Sequence, residues 1–153
     1  MPCVISNRQQ AVVVSPRHLA RAAERTLVAL GRTGARVEVV LVDDGEIRRL
    51  NRAWRGVGRR TDVLAFSLET PEIGGLVGEV LISAETAARQ ARRLGVPVAA
   101  ELELLVTHGV LHLAGYDDRD PVEAELMHER ERQILGSRGR RPPRRLWKGL
   151  LHP

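Results

Sequence analysis

The chain has one cysteine, Cys3, so neither an intramolecular disulfide nor a cysteine metal cluster can form within it. A reducing compartment suits such a chain, and a cytoplasmic location is the expectation. No apolar run approaches the roughly 18 residues of a membrane span. The opening residues lack the continuous apolar stretch of a secretory signal, so no membrane partner is expected. There is no internal repeat. Lysine is nearly missing: Lys148 is the only one among 24 Lys and Arg. The basic character therefore rests on arginine, an excess that a compositional bias of the genome alone can produce.

What is present is enough chain for one sizeable core. At 153 residues two domains are not expected. Charge is unevenly placed. Arg138, Arg140, Arg141, Arg144, Arg145 and Lys148 follow Ser137 with no acidic residue, so the end of the chain carries +6 of a formal +5 and residues 1–137 carry −1. The expected organisation is a domain over 1–137 and a basic, flexible tail over 138–153. Such a tail suits phosphate-backbone binding. Its Arg-Pro-Pro-Arg-Arg core equally suits a solvated end with no ligand. A third reading is that Leu146-Trp147-Lys148-Gly149-Leu150-Leu151 docks on a partner or on the domain itself. Nothing in the sequence sets an oligomeric state.

Local signals divide the chain into elements. Ser15 and Pro16 suit an N-cap and first helical position, and Leu19, Ala22, Ala23, Leu27 and Leu30 give a helical apolar stripe that ends at Gly31. Residues 36–42 are β-branched and apolar enough for a buried strand, after which Asp43 or Asp44 caps a short helix through Ile47, Leu50 and Trp54. Residues 55–60 form a Gly- and Arg-rich loop. Residues 61–67 and 76–83 suit two strands whose Thr-Pro and Gly-Gly turn signals favour antiparallel pairing. Ser83 opens a third helix that stops at Gly95, and Pro97 starts a fourth. Asp120, Pro121 and Glu123 open a last helix that runs to Gly136. The expected fold is α+β: a small mixed sheet of about four strands covered by about five helices.

The fourth helix carries the chemistry. His108 and His112 stand four apart, so both imidazoles share a helix face about 6 Å apart and can reach one ion. Gly115 can take the left-handed conformation that ends a helix, letting Tyr116-Asp117-Asp118 fold back toward the pair. Asp118 is the natural third ligand. Three protein ligands leave the fourth position of a tetrahedral zinc to water, whose pKa falls to about 7. A blander reading stands beside this one. Residues 101–114 are apolar almost all round, and a His on such a helix is often only a hydrogen-bonded core residue. The Gly-Tyr-Asp-Asp turn favours the metal.

His-Gly-x-Leu-His-Leu-x-Gly-Tyr-Asp over 108–117 resembles the signature of the YbeY family of bacterial metal-dependent endoribonucleases and rRNA maturation factors. Further blocks resemble the family in the right order: Leu50-Asn51, Arg55-Gly56, Thr61-Asp62-Val63-Leu64-Ala65-Phe66, Gly78-Glu79-Val80-Leu81-Ile82-Ser83, Glu101-Leu102 and Met127. The likeness covers residues 37–135. It implies one divalent ion, Zn2+ first among the choices, and a single-stranded RNA substrate within rRNA of the small ribosomal subunit. It implies metal ligation by His108, His112 and Asp118, with His112 catalytic. It also implies that Arg55 grips the scissile phosphate through a bidentate guanidinium, with Arg59 and Arg60 as further substrate-binding groups. The chain departs from the family pattern at Asp118, where the third His usually stands, at Glu79 for Asp, at Ala65 for Ser and at Arg60 for Pro. A carboxylate in place of an imidazole makes bound water less acidic and favours harder metals.

Other residues have two readings each. Asp62 suits a ligand-orienting acid or a loop cap. Glu101 suits an acceptor for an imidazole N–H, or a surface acid near a helix start. Glu79 and Asp117 are weak candidates for a general base. Zinc proteases carry Glu directly after the first His, and here that residue is Gly109, which disfavours peptidase chemistry. The expectation is a metal-dependent, single-strand-specific endoribonuclease. The alternatives are a non-catalytic ribosome-associated RNA-binding factor with a structural metal, or a small metalloprotease.

Overall fold

The computed structural model describes residues 3–32, 34–53, 58–59, 62–68, 77–137 and 142–148. Strands β1 (Cys3–Asn7), β2 (Arg36–Val42), β3 (Gly58–Arg59), β4 (Val63–Ser67) and β5 (Val77–Ser83) form one sheet in the order β1-β2-β5-β4-β3. The first three in that order run parallel, whereas β4 is antiparallel to β5 and to β3. Five α-helices accompany the sheet: α1 (Pro16–Ala29), α2 (Asp44–Ala53), α3 (Ala84–Leu94), α4 (Val98–Leu113) and α5 (Pro121–Leu135). The mixed sheet, the antiparallel pair and the five helices are as expected. The two-residue β3 is an added edge strand, too short to leave a periodicity in the sequence.

Helix boundaries follow the local chemistry. Ser15, Asp43, Ser83 and Asp120 each accept backbone N–H groups from the first turn of the helix that follows. This satisfies donors that no carbonyl inside the helix can reach. Gly95, at φ 68°, ends α3.

Alternation along the strands sends side chains to two layers. Val37, Val39 and Leu41 of β2, Val63 and Ala65 of β4, and Val80 and Ile82 of β5 join α1, α3 and α4 in the main core. Val40, Val42, Leu64 and Leu81 face the other way and pack with Ile47 of α2. Helix α4 touches the sheet, α1, α3 and α5. Its Leu111 packs on Met127 and Ile134 of α5. An all-round apolar sequence is what a helix with neighbours on every side requires.

The approach of α4 to the sheet depends on Gly109. A Cβ there would lie 2.4 Å from Cγ1 of Val80 on β5, closer than two carbons can stand. Gly109→Ala gains about 1 kcal/mol of helix propensity, against an overpacking cost of typically 1–3 kcal/mol. The steep overlap puts this site at the upper end of that range. We therefore expect a net loss of about 1–2 kcal/mol in urea unfolding, and an unchanged or raised midpoint would contradict the close contact.

The end of the described chain folds back. A 3-10 turn, Arg144–Trp147, buries Leu146 and Trp147 in the main core, and the Arg145 guanidinium donates to the carbonyl of Gly95 at 3.2 Å. Among the readings of this stretch, the one with Leu146 and Trp147 docked on the domain is what the structure shows. No described helix is long and apolar enough to cross a membrane.

Candidate metal centre

His108 and His112 lie on successive turns of α4 with their rings in a T-shaped arrangement and their Nε2 atoms 3.0 Å apart. Both are buried. Gly115, at φ 105°, reverses the chain after the helix, and the Tyr116 N–H returns to the Leu111 carbonyl. The turn brings Asp118 back as expected. Its Oδ2 lies 3.4 Å from His108 Nε2 and its Oδ1 lies 3.5 Å from His112 Nε2. Donor atoms of the three side chains lie within 4.8 Å of one another, so this group could hold a metal ion.

The partners on the far side of each ring determine what faces inward. His112 Nδ1 sits 3.0 Å from the Tyr116 carbonyl oxygen, which can only accept, so this nitrogen carries the proton. His108 Nδ1 is 2.6 Å from Oε2 of Glu131, likewise an acceptor. With both Nδ1 atoms donating, two neutral imidazoles would present bare Nε2 lone pairs to each other and to the Asp118 carboxylate. Acceptors converging this closely repel unless a cation stands among them. A tetrahedral zinc with bonds of about 2.0–2.1 Å separates its donor atoms by about 3.4 Å, close to the spacings here. The residues fit such an ion.

A proton can also neutralise these acceptors. Burial alone would lower the His108 pKa, but the charge of Glu131 and the hydrogen bonds to Asp118 and Glu131 push it up to about 9. Hydrogen bonds from His108 and then His112 hold Asp118 well below the ordinary carboxylate range, against a smaller opposing effect of burial. Burial would raise Glu131, yet His108, first through its charge and then through its hydrogen bond, together with His128, lowers it.

Glu131 is the residue that sequence reasoning missed. It is fully buried on α5, with Oε2 on His108 and Oε1 taking His128 Nδ1 at 2.7 Å and Trp147 Nε1 at 3.3 Å. Glu101 does not fill that place: the imidazole protons of 108 and 112 go to Glu131 and Tyr116. Nor is Glu101 a surface acid, being 1% exposed. Neither weak base candidate faces the centre. Asp117 is engaged by the backbone N–H and guanidinium of Arg119, whose hydrogen bonds lower its pKa. Glu79 precedes Val80, whose side chain meets α4, so alternation points it to the opposite sheet face. Asp62 is buried at the entry to β4, where its carbonyl accepts the Ser83 N–H. Arg59 lies in β3, whose backbone pairs with β4 and runs beside α4. The side chain of Arg59, and all of Arg55 and Arg60, lie outside the described residues.

Fold and site together define an α+β domain with a three-ligand candidate metal centre on its central helix. Residues 4–139 match the family described as Endoribonuclease YbeY. A relative of that name from Anaeromyxobacter dehalogenans is 46% identical over 124 residues, covering 80% of this chain and 64% of the relative. Another from Anaeromyxobacter sp. is also 46% identical, and the chain spans 65% of its length. A third from Geobacter sulfurreducens is 39% identical over 88% of this chain and 94% of its own. The solution structure of a Thermotoga maritima protein superposes with a TM-score of 0.58 at 26% identity, over 97% of this chain and 91% of that one. The chain belongs to the YbeY family.

Proposed function

We propose that this chain is a metal-dependent endoribonuclease that cuts single-stranded RNA during maturation of rRNA in the small ribosomal subunit, in the cytoplasm. The observation that carries the metal dependence is the convergence of the inward nitrogens of His108 and His112 and the carboxylate of Asp118, with each Nδ1 held from behind. The name carried by its relatives supports the RNA chemistry. Zn2+ is the first choice of ion, held by those three side chains. When bound, it supplies Lewis acidity and an acidified water at its open position. The chain's own groups do the rest. Glu131 holds His108 with its Nε2 inward, and the Tyr116 carbonyl does the same for His112. The Asp118 carboxylate adds negative charge to the donor set. Arg55, flanked by Arg59 and Arg60, binds the phosphate oxygens and stabilises the charge that develops on them. Basic residues beyond Ser137 that the docked turn leaves exposed add contacts to the phosphate backbone.

Two rival readings are weaker. Structural zinc sites are closed by four ligands, whereas this group offers three among the described residues. A protease of the His-Glu-x-x-His type needs a carboxylate where Gly109 packs on Val80 with no room for a Cβ.

The test is cleavage of matched single- and double-stranded RNAs, with zinc or manganese supplied. Wild type is expected to cut the single strand, and His112→Ala and Arg55→Ala to fall by about 100-fold or more. Asp118→His should keep zinc binding, which Asp118→Ala loses. Equal cleavage by wild type, His112→Ala and Arg55→Ala refutes the catalytic assignment. Ribosome binding without cleavage under any metal supply favours a non-catalytic RNA-binding factor.

A further inference from the structure

Trp147 stands beyond residues 4–139 that match the family, yet its side chain reaches the candidate metal centre. The path from the indole through Glu131 to His108 is short and buried. Pro143 begins the 3-10 turn, Leu146 anchors it in the core, and the indole Nε1 donates to Oε1 of Glu131 at 3.3 Å. The same oxygen accepts from His128 Nδ1 at 2.7 Å, while Oε2 takes His108 Nδ1 at 2.6 Å. A carboxylate can rotate about its last bond. Three N–H donors on two oxygens fix that rotation, and with it the direction in which His108 aims its other nitrogen.

We propose that Trp147 is a positioning residue of the metal centre. Its indole N–H, delivered by the docked 3-10 turn, holds the Glu131 carboxylate that orients His108, so docking of residues 144–147 and binding of the metal strengthen each other. This rests on the reading of His108, His112 and Asp118 as metal ligands. The coupling is reciprocal by thermodynamic necessity: the factor by which docking tightens metal binding is the factor by which metal tightens docking.

The full chain serves for the test. Zn2+ affinity is measured by competition with a chelating dye for wild type and Trp147→Phe, which keeps an aromatic ring in the core and loses the indole N–H together with part of the ring volume. Backbone hydrogen exchange of residues 145–147 is followed in wild type with chelator and with saturating Zn2+. Groups behind a metal ligand commonly change affinity by about 10–100-fold, and one acting through Glu131 belongs at the lower end. We expect Trp147→Phe to bind Zn2+ about tenfold more weakly. In wild type, we expect Zn2+ to slow exchange in the turn by a similar factor. A purely structural role would lower the melting temperature equally with and without metal and leave the affinity alone. Affinity within twofold of wild type, or exchange unmoved by Zn2+, overturns the proposal. Should the variant not fold, the exchange measurement on wild type decides. Wild type that binds neither Zn2+ nor Mn2+ overturns the metal reading as well, whereas normal wild-type binding with an indifferent Trp147→Phe overturns this inference alone.

Discussion

Glu131→Ala is expected to destabilise the metal-free protein by about 3–5 kcal/mol, the usual cost of removing one member of a buried ionic group. Glu131 has no exposed surface and accepts hydrogen bonds from His108, His128 and Trp147. Alanine leaves all three donors in the core with no acceptor, and each such orphan costs about 1–3 kcal/mol. It also removes the charge that favours a protonated His108. Part of the loss is recovered, because His108 can shed its proton and become neutral. For a domain with an ordinary margin of about 5–15 kcal/mol, the remaining loss brings unfolding near working conditions. Glu131→Gln retains one acceptor oxygen and most of the volume and should lose roughly half as much. Urea unfolding in the presence of chelator measures both. A Glu131→Ala loss below about 0.5 kcal/mol, the size of an ordinary surface change, would show that the three donors find other acceptors.

That Glu131 went unseen in the sequence, while His108, His112 and Asp118 did not, follows from how far each signal extends along the chain. The His pair is one helical turn apart and Asp118 follows a glycine whose φ of 105° turns the chain back, so the triad is built by local geometry. The caps at Ser15, Asp43, Ser83 and Asp120 are equally local. Glu131 meets His108 across 23 positions, and only tertiary packing of α5 on α4 brings them together. A faint local trace existed. Met127, Glu131 and Ile134 occupy one buried stripe of α5, and an acid at a core position of an amphipathic helix requires a buried partner. Trp147 left no such trace, because two apolar residues within a run of arginines do not reveal what they dock on. The facing of Glu79 was hidden for another reason: β5 is buried on both faces, so apolar residues flank it whichever way it points.

The second large expectation concerns pH and metal together. His108 has a pKa of about 9 in the folded, metal-free protein, against 6.5 for an ordinary imidazole. A raised pKa means that the folded state binds the proton more tightly than the unfolded state. Its contribution to stability is therefore complete below pH 6.5 and is lost as the pH rises through about 9. The full swing is on the order of 3 kcal/mol. Glu131 and Asp118 are shifted downward, so their contributions hold above the ordinary carboxylate range and vanish as the pH falls through their folded values. Metal-free protein should thus be most stable between about pH 4.5 and 6.5 and weaken toward about pH 9. Metal reverses the upper limb, since an ion at this site must displace the His108 proton. Below about pH 9, each unit of acidification should weaken the apparent zinc affinity by up to about tenfold. The melting-temperature gain on adding a fixed excess of zinc therefore grows from about pH 6.5 to 9, while the melting temperature in chelator falls over the same interval. Thermal unfolding across that range, with and without zinc, reads both trends. A metal-free melting temperature that stays level or climbs toward pH 9 would mean that no shared proton is held among His108, Glu131 and Asp118, and the cation-demanding character of the centre would fall with it.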